Sequence, residues 1–435
     1  TTEEYKHFLD VNIIDRDWQK DCIQHTSNKL LGIGQGSAAI WEVINLYCNT
    51  KEASPGTPKF LADEMLDKLP QEIWSDKTKT FCDPAFANGS FYFLIIDRLM
   101  EGLSEVIEDS EERLKHIIEN QVFIYDTNEV PRLFVRALAE LEYNLKEPNI
   151  NPNICYNNLL EEEIKMKFDV VVMNAPYNKP VHEKGRKGGH GGRTLWDKFL
   201  ISAIQKWVRD NGYVCSINPP PWRKPAEKGE VKELMNLITK ENTLRFLNIN
   251  SKKRGNEVFG ASTRFDCIVV EKGLPSPGVG TLVEDELGNK LTMPLDDKGW
   301  LPNYMFGEIE ELLAKEGEPT AKVVYSRSKY GNDKPNISRK QEGAFIHPVV
   351  YGMRKDGNVF LYSNTDEKGH FGVPKVILSL NEKQHQPIND FDGNYATSEL
   401  AFGIEIDSRE DGDKLVEFVK SEGFQEIIKA TKWST

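Results

Sequence analysis

Phe168-Asp169-Val170-Val171-Val172-Met173-Asn174-Ala175-Pro176-Tyr177 is an apolar run that stops at an amide, a small residue, a proline and an aromatic. Four consecutive residues, Val170 to Met173, are apolar and mostly β-branched, which suits a central parallel strand buried on both faces. Open α/β sheets bind ligands at the carboxyl ends of their strands. Asn174, Ala175, Pro176 and Tyr177 therefore stand where a site is expected.

Outward from this strand, residues 122–125, 213–217 and 265–270 read as further strands, with helices over 91–103, 130–141, 195–208 and 228–239. This alternation predicts a doubly wound, mainly parallel α/β sheet. Upstream, residues 1–50 read as a helical segment, with apolar positions at Ile40, Trp41, Val43, Ile44 and Leu46. In Ser54-Pro55-Gly56-Thr57-Pro58, Thr57 is expected to cap a helix and Pro58 to take its first position. Downstream, Gly273-Leu274-Pro275-Ser276-Pro277-Gly278-Val279-Gly280 reads as a linker. It would separate a domain over 51–272 from a mixed α+β module over 281–435, which closes in a helix at 411–430.

Bulk properties narrow the function classes. A chain of 435 residues, 39% hydrophobic and 28% charged, is expected to be soluble and to form two or three domains. No apolar run approaches the roughly 18 residues of a membrane span, and the polar start from Thr1 to Lys6 is not a signal peptide. The six cysteines (22, 48, 82, 155, 215 and 267) form no C-x-x-C pair. They argue for a reducing, cytoplasmic location and against a disulfide framework or zinc site. The eight histidines show no metal spacing. No metal is expected.

Charge is unevenly placed. The net value of −13 opposes a nucleic-acid partner, because phosphate affinity comes from Lys and Arg. Acid concentrates at 101–112, at 161–163 and after Asp390. Residues 179–193, however, carry Lys179, Lys184, Arg186, Lys187 and Arg193 against one Glu among five glycines. Residues 322–340 carry six Lys/Arg, including Arg327 and Lys329, against one Asp, with Tyr325 and Tyr330 between them. Two basic patches on an acidic body are compatible with nucleic acid gripped locally. Both segments are equally compatible with solvated loops.

Asp83-Pro84-Ala85-Phe86-Ala87-Asn88-Gly89-Ser90-Phe91 reads as a small-residue turn between a short strand and a helix. Such a turn lets the backbone approach a ligand while the helix start presents amides. Asp126 closes the next strand. Alone, the turn is a common α/β feature.

Taken in series, these pieces resemble the S-adenosylmethionine-dependent adenine-specific DNA methyltransferases of the Asn-Pro-Pro-Tyr type. The likeness covers roughly residues 50–272, in the order of the subclass whose target-recognition domain follows the catalytic one. It implies a Rossmann-like methyltransferase fold and S-adenosyl-L-methionine as cofactor. In this reading Thr57 and Pro58 belong to the extra amino-terminal motif, and Asp83, Ala85 and Gly89 to the cofactor turn. Asp126 would take the ribose hydroxyls, and Asn158 would contact the cofactor's adenine. Leu195, Trp196 and Phe199 would form the aromatic helix motif, with Phe199 at the cofactor. The tetrad would hold the target adenine: the Asn174 side-chain oxygen and the Ala175 carbonyl accept the amine hydrogens, and Tyr177 stacks on the flipped base. The basic residues named above would contact DNA, and a cognate restriction endonuclease is an implied partner.

Three positions depart from the family pattern: Ala87 replaces a Gly, Asn158 an Asp, and Ala175 a Pro. Ala87 fits a tight turn if its φ stays negative. The long interval from Gly89 to Asp126 is assigned to an extended acidic helix at 101–115. Asn218-Pro219-Pro220-Pro221-Trp222 matches the first three residues of the family tetrad better than 174–177 does, but it reads as a rigid rim loop after the next strand. Gly32-Ile33-Gly34-Gln35-Gly36-Ser37 lacks the Lys of a phosphate loop. Because the tetrad demands only a planar nitrogen, RNA or protein-glutamine methylation stays open, as does a silent DNA-binding relative. The module after residue 280 favours sequence-specific DNA.

Overall fold

The computed structural model describes residues 56–87, 89–127, 153–156, 158–161, 164, 166–178, 194–275, 278–315, 317–329, 335–380 and 384–433. The expected helices over 1–50 and 130–141 lie outside them. The chain divides into two units: one runs to Leu301 and takes in the residues from Trp433, and the other is Pro302–Lys432.

The first unit opens with α1 (Lys59–Leu66), β1 (Phe81–Asp83), α2 (Ser90–Gly102) and α3 (Ser110–Asn120). There follow β2 (Val122–Asp126), β3 (Ile154–Tyr156), β4 (Phe168–Met173), α4 (Trp196–Ser202) and β5 (Val208–Asn218). Then come α5 (Glu230–Thr239), β6 (Thr243–Asn250), α6 (Lys252–Phe259) and β7 (Phe265–Glu271), with β8 (Thr281–Glu284) and β9 (Lys290–Met293) last. The strands form one sheet in the order β3-β2-β1-β4-β5-β7-β6-β8-β9. β1 pairs in parallel with both β2 and β4, and β7 runs antiparallel between β5 and β6. The chain builds outward from β1 to β3 and then crosses back to β4. The carboxyl ends of β1 and β4 therefore flank the reversal in strand order, where such sheets bind ligands.

β4 is buried along its whole length, and Val170 to Met173 are fully enclosed. Burial of each such side chain stabilises by about 1.5–3 kcal/mol. Its polar member, Asp169, fixes the register: the carboxylate accepts from the Thr80 amide at 2.9 Å and from Lys79 Nζ at 3.3 Å, beside the start of β1. Val170 and Val172 share a core with Phe81, Ile124, Leu61, Phe93, Leu99 and Ile117, so α1, α2 and α3 cover this face.

Several sequence expectations need correction. Thr57 makes no capping bond, and Pro58 is the N-cap of α1, because its ψ of 147° is extended rather than helical. The acidic helix expected at 101–115 is two helices, since Asp109 caps a new one by accepting from the Glu112 amide at 2.8 Å. β6 is an additional strand, over a stretch (Thr243-Leu244-Arg245-Phe246-Leu247-Asn248-Ile249-Asn250) where the sequence reading places none. The linker expected at 273–280 lies inside the first unit, because β8 pairs with β6 and carries β9 onto the same sheet.

The second unit contains α7 (Phe306–Leu312), β10 (Val323–Val324), β11 (Ile337–Ser338), β12 (His347–Arg354) and β13 (Gly357–Ser363). It continues through β14 (Lys375–Ser379), β15 (Ile388–Asp390), β16 (Ala396–Thr397), β17 (Ala401–Glu405), α8 (Arg409–Lys420) and α9 (Glu422–Ala430). Two four-stranded sheets result, β10-β17-β14-β15 and β11-β13-β12-β16. Val350 and Met353 pack on Ile377 and Ala401 between the sheets, while Val376 and Leu378 pack on Val419 of α8. The closing helix breaks at Ser421, which caps α9 by accepting from the Phe424 amide at 3.2 Å.

Candidate active site at the carboxyl edge of the sheet

β1 ends at Asp83, and its Oδ1 turns back to accept from the Ala85 amide at 3.1 Å. That bond starts the turn into α2. Gly89 stands at the N-cap with φ 77°, a left-handed conformation that costs glycine nothing, and no side chain caps the helix. Ala87 is left-handed too, at φ 46°. The expectation that its φ stays negative is therefore overturned. Two contacts hold it: the Ala87 amide donates to Asp126 Oδ2 at 3.3 Å, and the Phe86 amide donates to the Tyr125 carbonyl at 3.3 Å. The turn is thus laid onto the end of β2.

Asp83 and Asp126 lie close enough to feel each other. Burial, and secondarily the Asp126 charge, pushes the Asp83 carboxyl up to about 8, although the Ala85 amide opposes this. By register Asp83 is level with Ile124, so Asp126 stands two residues beyond it on the neighbouring strand. Two carboxyls and a strained small-residue turn before a helix start leave room and polarity for a nucleoside with a cationic tail. The donor set fits S-adenosylmethionine: Asp126 matches ribose hydroxyls, and the turn backbone lies open to close approach.

On the other side of β1, β4 runs into the tetrad. Its register, Cys82 opposite Val171, puts Asn174 beyond the level of Asp83 as well. Among the described residues the Asn174 side chain makes no hydrogen bond, and it is partly exposed. Ala175 is buried and Pro176 exposed. The Tyr177 carbonyl accepts from the Leu195 amide at 3.0 Å, and Asn178 bridges Thr194. These two contacts close the ends of the basic segment beside the tetrad. Lys179, Lys184, Arg186, Lys187 and Arg193 themselves lie outside the described residues. Burial raises the Tyr177 phenol well above its ordinary range, with Cys267 and Asp266 adding to the effect, so it stays neutral.

The remaining candidates fare differently. Asn158 is half-buried in a local turn, where its Oδ1 accepts from the Leu160 amide at 3.2 Å. That oxygen keeps one lone pair. Phe199 is buried edge-on to Trp207 at 6.0 Å between ring centres, which is core packing. Arg327 is exposed but pairs with Glu399 at 3.0 Å. Lys329 is only 1% exposed and donates to Ser363 Oγ at 2.8 Å and to the Thr365 carbonyl at 2.9 Å. A surface phosphate contact by Lys329 is therefore contradicted: its ammonium is spent inside the second unit.

The rim-loop reading of 218–222 has a physical basis that the sequence does not reveal. Asp266 accepts from Arg223 Nε at 2.7 Å, from Arg223 Nη2 at 2.9 Å and from Trp222 Nε1 at 2.9 Å, and all three side chains are fully buried. Arg223 Nη1 also reaches the Leu301 carbonyl. Asn218 lies beneath this clamp, its Oδ1 accepting from Ser216 Oγ at 2.7 Å. The one advance signal is an Arg after a Pro-rich turn, with an Asp inside an otherwise apolar strand.

Comparison with known proteins agrees with this arrangement. A relative in Mycoplasma pneumoniae, an uncharacterised adenine-specific methylase, is 23% identical over 255 residues, 43% of this chain. The match spans 59% of that curated relative's length. A type IIL restriction-modification enzyme solved with DNA aligns with a TM-score of 0.48 and 12% identity over 88% of this chain and 64% of its own. A type I restriction-modification methyltransferase subunit from Streptococcus thermophilus aligns with a TM-score of 0.40 and 15% identity over 64% and 60%. The family model for the Eco57I restriction-modification methylase matches residues 45–269, more than half of the chain. The chain belongs to that family.

Proposed function

We propose that this protein transfers a methyl group from S-adenosylmethionine to the exocyclic amine of adenine in DNA. One observation carries the reading: Asn174 ends the central strand with a side chain unbonded among the described residues, one strand away from the Asp83–Asp126 turn. When bound, the cofactor supplies an electrophilic methyl group. The protein's residues do the rest. Asp126 takes the ribose, and the turn at 83–89 takes the cofactor's backbone side. Asn174 Oδ1 and the Ala175 carbonyl accept the two amine hydrogens. The nitrogen lone pair is thereby drawn out of the ring and aimed at the methyl group. Ala175 keeps the carbonyl but lacks the ring that fixes φ, so it loses preorganisation rather than chemistry.

Tyr177 offers a face to the flipped base, a contact worth about 1–3 kcal/mol. The segment 179–193 is tied to the tetrad at both ends and supplies phosphate contacts next to the target. The second unit reads the sequence, and a restriction activity acts on the same site. The test is transfer of label from methyl-labelled S-adenosylmethionine to duplex DNA. Transfer is expected with the native protein and is lost in Asn174→Ala. No transfer by native protein that binds the cofactor would refute the reading.

A further inference from the structure

The second unit is polarised in charge along its chain, and its layers turn that order into two faces. From Thr320 to Lys375 there are ten Lys/Arg against five Asp/Glu, whereas from Val376 to Lys432 there are six against twelve. The basic stretch builds the sheet β11-β13-β12-β16 and its loops. The acidic stretch builds α8 and α9, which pack on the far side of the other sheet.

Within the basic half the cations are not equivalent. Lys329 is buried, as described above, and Lys375 is buried against Asp390 at 2.7 Å. Lys322 pairs with Glu405 and Arg327 with Glu399. Arg339, Lys340, Arg354 and Lys355 are exposed and make no ion pair among the described residues. Topology gathers these four. β11 and β12 each run antiparallel to β13, so both point toward the same end of the sheet. Arg339 and Lys340 follow directly on β11. Arg354 and Lys355 form the turn of the β12–β13 hairpin, where Arg354 pairs with Gly357. Strand spacing of about 4.8 Å and rise of about 3.4 Å per residue put the two pairs roughly 15 Å apart. That distance spans about four base pairs at 3.4 Å each. The Gln386 side chain donates to the Lys355 carbonyl and the Asn358 side chain to the Gln386 carbonyl, so the hairpin turn is braced.

We propose that this end of the sheet, carried by Arg339, Lys340, Arg354 and Lys355, is the surface on which the second unit grips the phosphate backbone of duplex DNA, with α8 and α9 facing away. The proposal rests on the reading of the protein as a DNA enzyme and names the contact that reading left unassigned. Four unpaired cations on a braced sheet end suit phosphates, which fix register without reading sequence.

The experiment is the salt dependence of binding of the full chain to a duplex oligonucleotide, measured without turnover. Each lost phosphate contact flattens the slope of log affinity against log salt by about 0.9. The double variants R339A/K340A and R354A/K355A should each flatten it by one to two units and weaken binding equally on specific and unrelated duplexes. R354K/K355R should restore the slope, and R409A, whose Arg pairs with Asp392 on the acidic side, should leave it unchanged. Unaltered slopes in both double variants would overturn the proposal. So would a loss confined to one sequence, or an equal loss in R409A. Native protein that shows this salt behaviour but transfers no methyl group would refute the enzymatic reading and leave the surface standing.

Discussion

The backbone amide of Ala87 donates to the carboxylate of Asp126 at 3.3 Å, joining the turn after β1 to the end of β2. Ala87 adopts φ 46° to make that bond. A left-handed alanine costs about 1–2 kcal/mol that glycine does not pay. Replacement by glycine also loosens the unfolded chain, which takes back roughly 0.4–1 kcal/mol. Ala87→Gly is therefore expected to raise the melting temperature slightly and to leave cofactor affinity equal or tighter. Ala87→Val, β-branched in a left-handed position, should lower both. A destabilised glycine variant would contradict the strained turn.

Asp126 has two partners in this account, the Ala87 amide and a ribose. Asp126→Ala should weaken S-adenosylmethionine by about ten- to a hundredfold, the equivalent of 1.5–3 kcal/mol for a charged hydrogen bond. Titration calorimetry on the native protein and the variant checks it. Equal affinities would remove Asp126 from the cofactor site.

Asp83 predicts a pH dependence of stability. Burial, with Asp126 adding, raises its folded value to about 8 from an unfolded value near 3.8. Between these the folded state holds a proton that the unfolded state has released, so stability from this group falls as pH rises from about 4 through 8. Asp83→Asn mimics the protonated form. The variant should gain stability relative to native as pH rises, and thermal melts at pH 5.5 and 8 measure the difference. A difference that does not change with pH would show that Asp83 titrates normally.

Arg223 and Asp266 form a fully buried pair. Asp266→Ala strands the guanidinium and should cost about 3–5 kcal/mol, while removing both charges together should recover much of that loss. Denaturant midpoints for the single and double variants test it. Equal loss in both would show that the pair acts through something other than charge burial.

Much of the central sheet is legible in the sequence because its cues are local. Val170 to Met173 are apolar in a row, and a strand buried on both faces has few other ways to read. Strand β6 is hidden because Arg245, Asn248 and Asn250 interrupt the apolar run, although its antiparallel partner β7 buries most of it. The tetrad and Asp126 can be located from order alone. The left-handed Ala87 cannot, since residue type argues for negative φ and only the bond to Asp126 overrides it. Lys329 misleads for a related reason: a lysine in a basic run looks solvated until Ser363 and Thr365 are brought to it from 34 and 36 residues away. Arg354 and Lys355 carry no signal in the sequence because their meaning lies in a hairpin that sets them near Arg339 and Lys340.

The tetrad and its rival separate by mutation. Asn174→Ala should abolish methyl transfer with cofactor binding largely kept. Asn218→Ala, beneath the Arg223–Asp266 clamp, should cost about 1 kcal/mol of stability and little activity. Activity lost only in the Asn218 variant would move the active site to β5.

The central claim is chemical: the amide at the end of β4 activates the exocyclic nitrogen of adenine. The most direct measurement is digestion to nucleosides of duplex DNA treated with the native protein and S-adenosylmethionine, followed by mass spectrometry. The account predicts N6-methyladenosine in the deoxy series as the methylated product, present with native protein and absent with Asn174→Ala. Methylated cytosine, or methylated adenine that persists in the Asn174 variant, would contradict it.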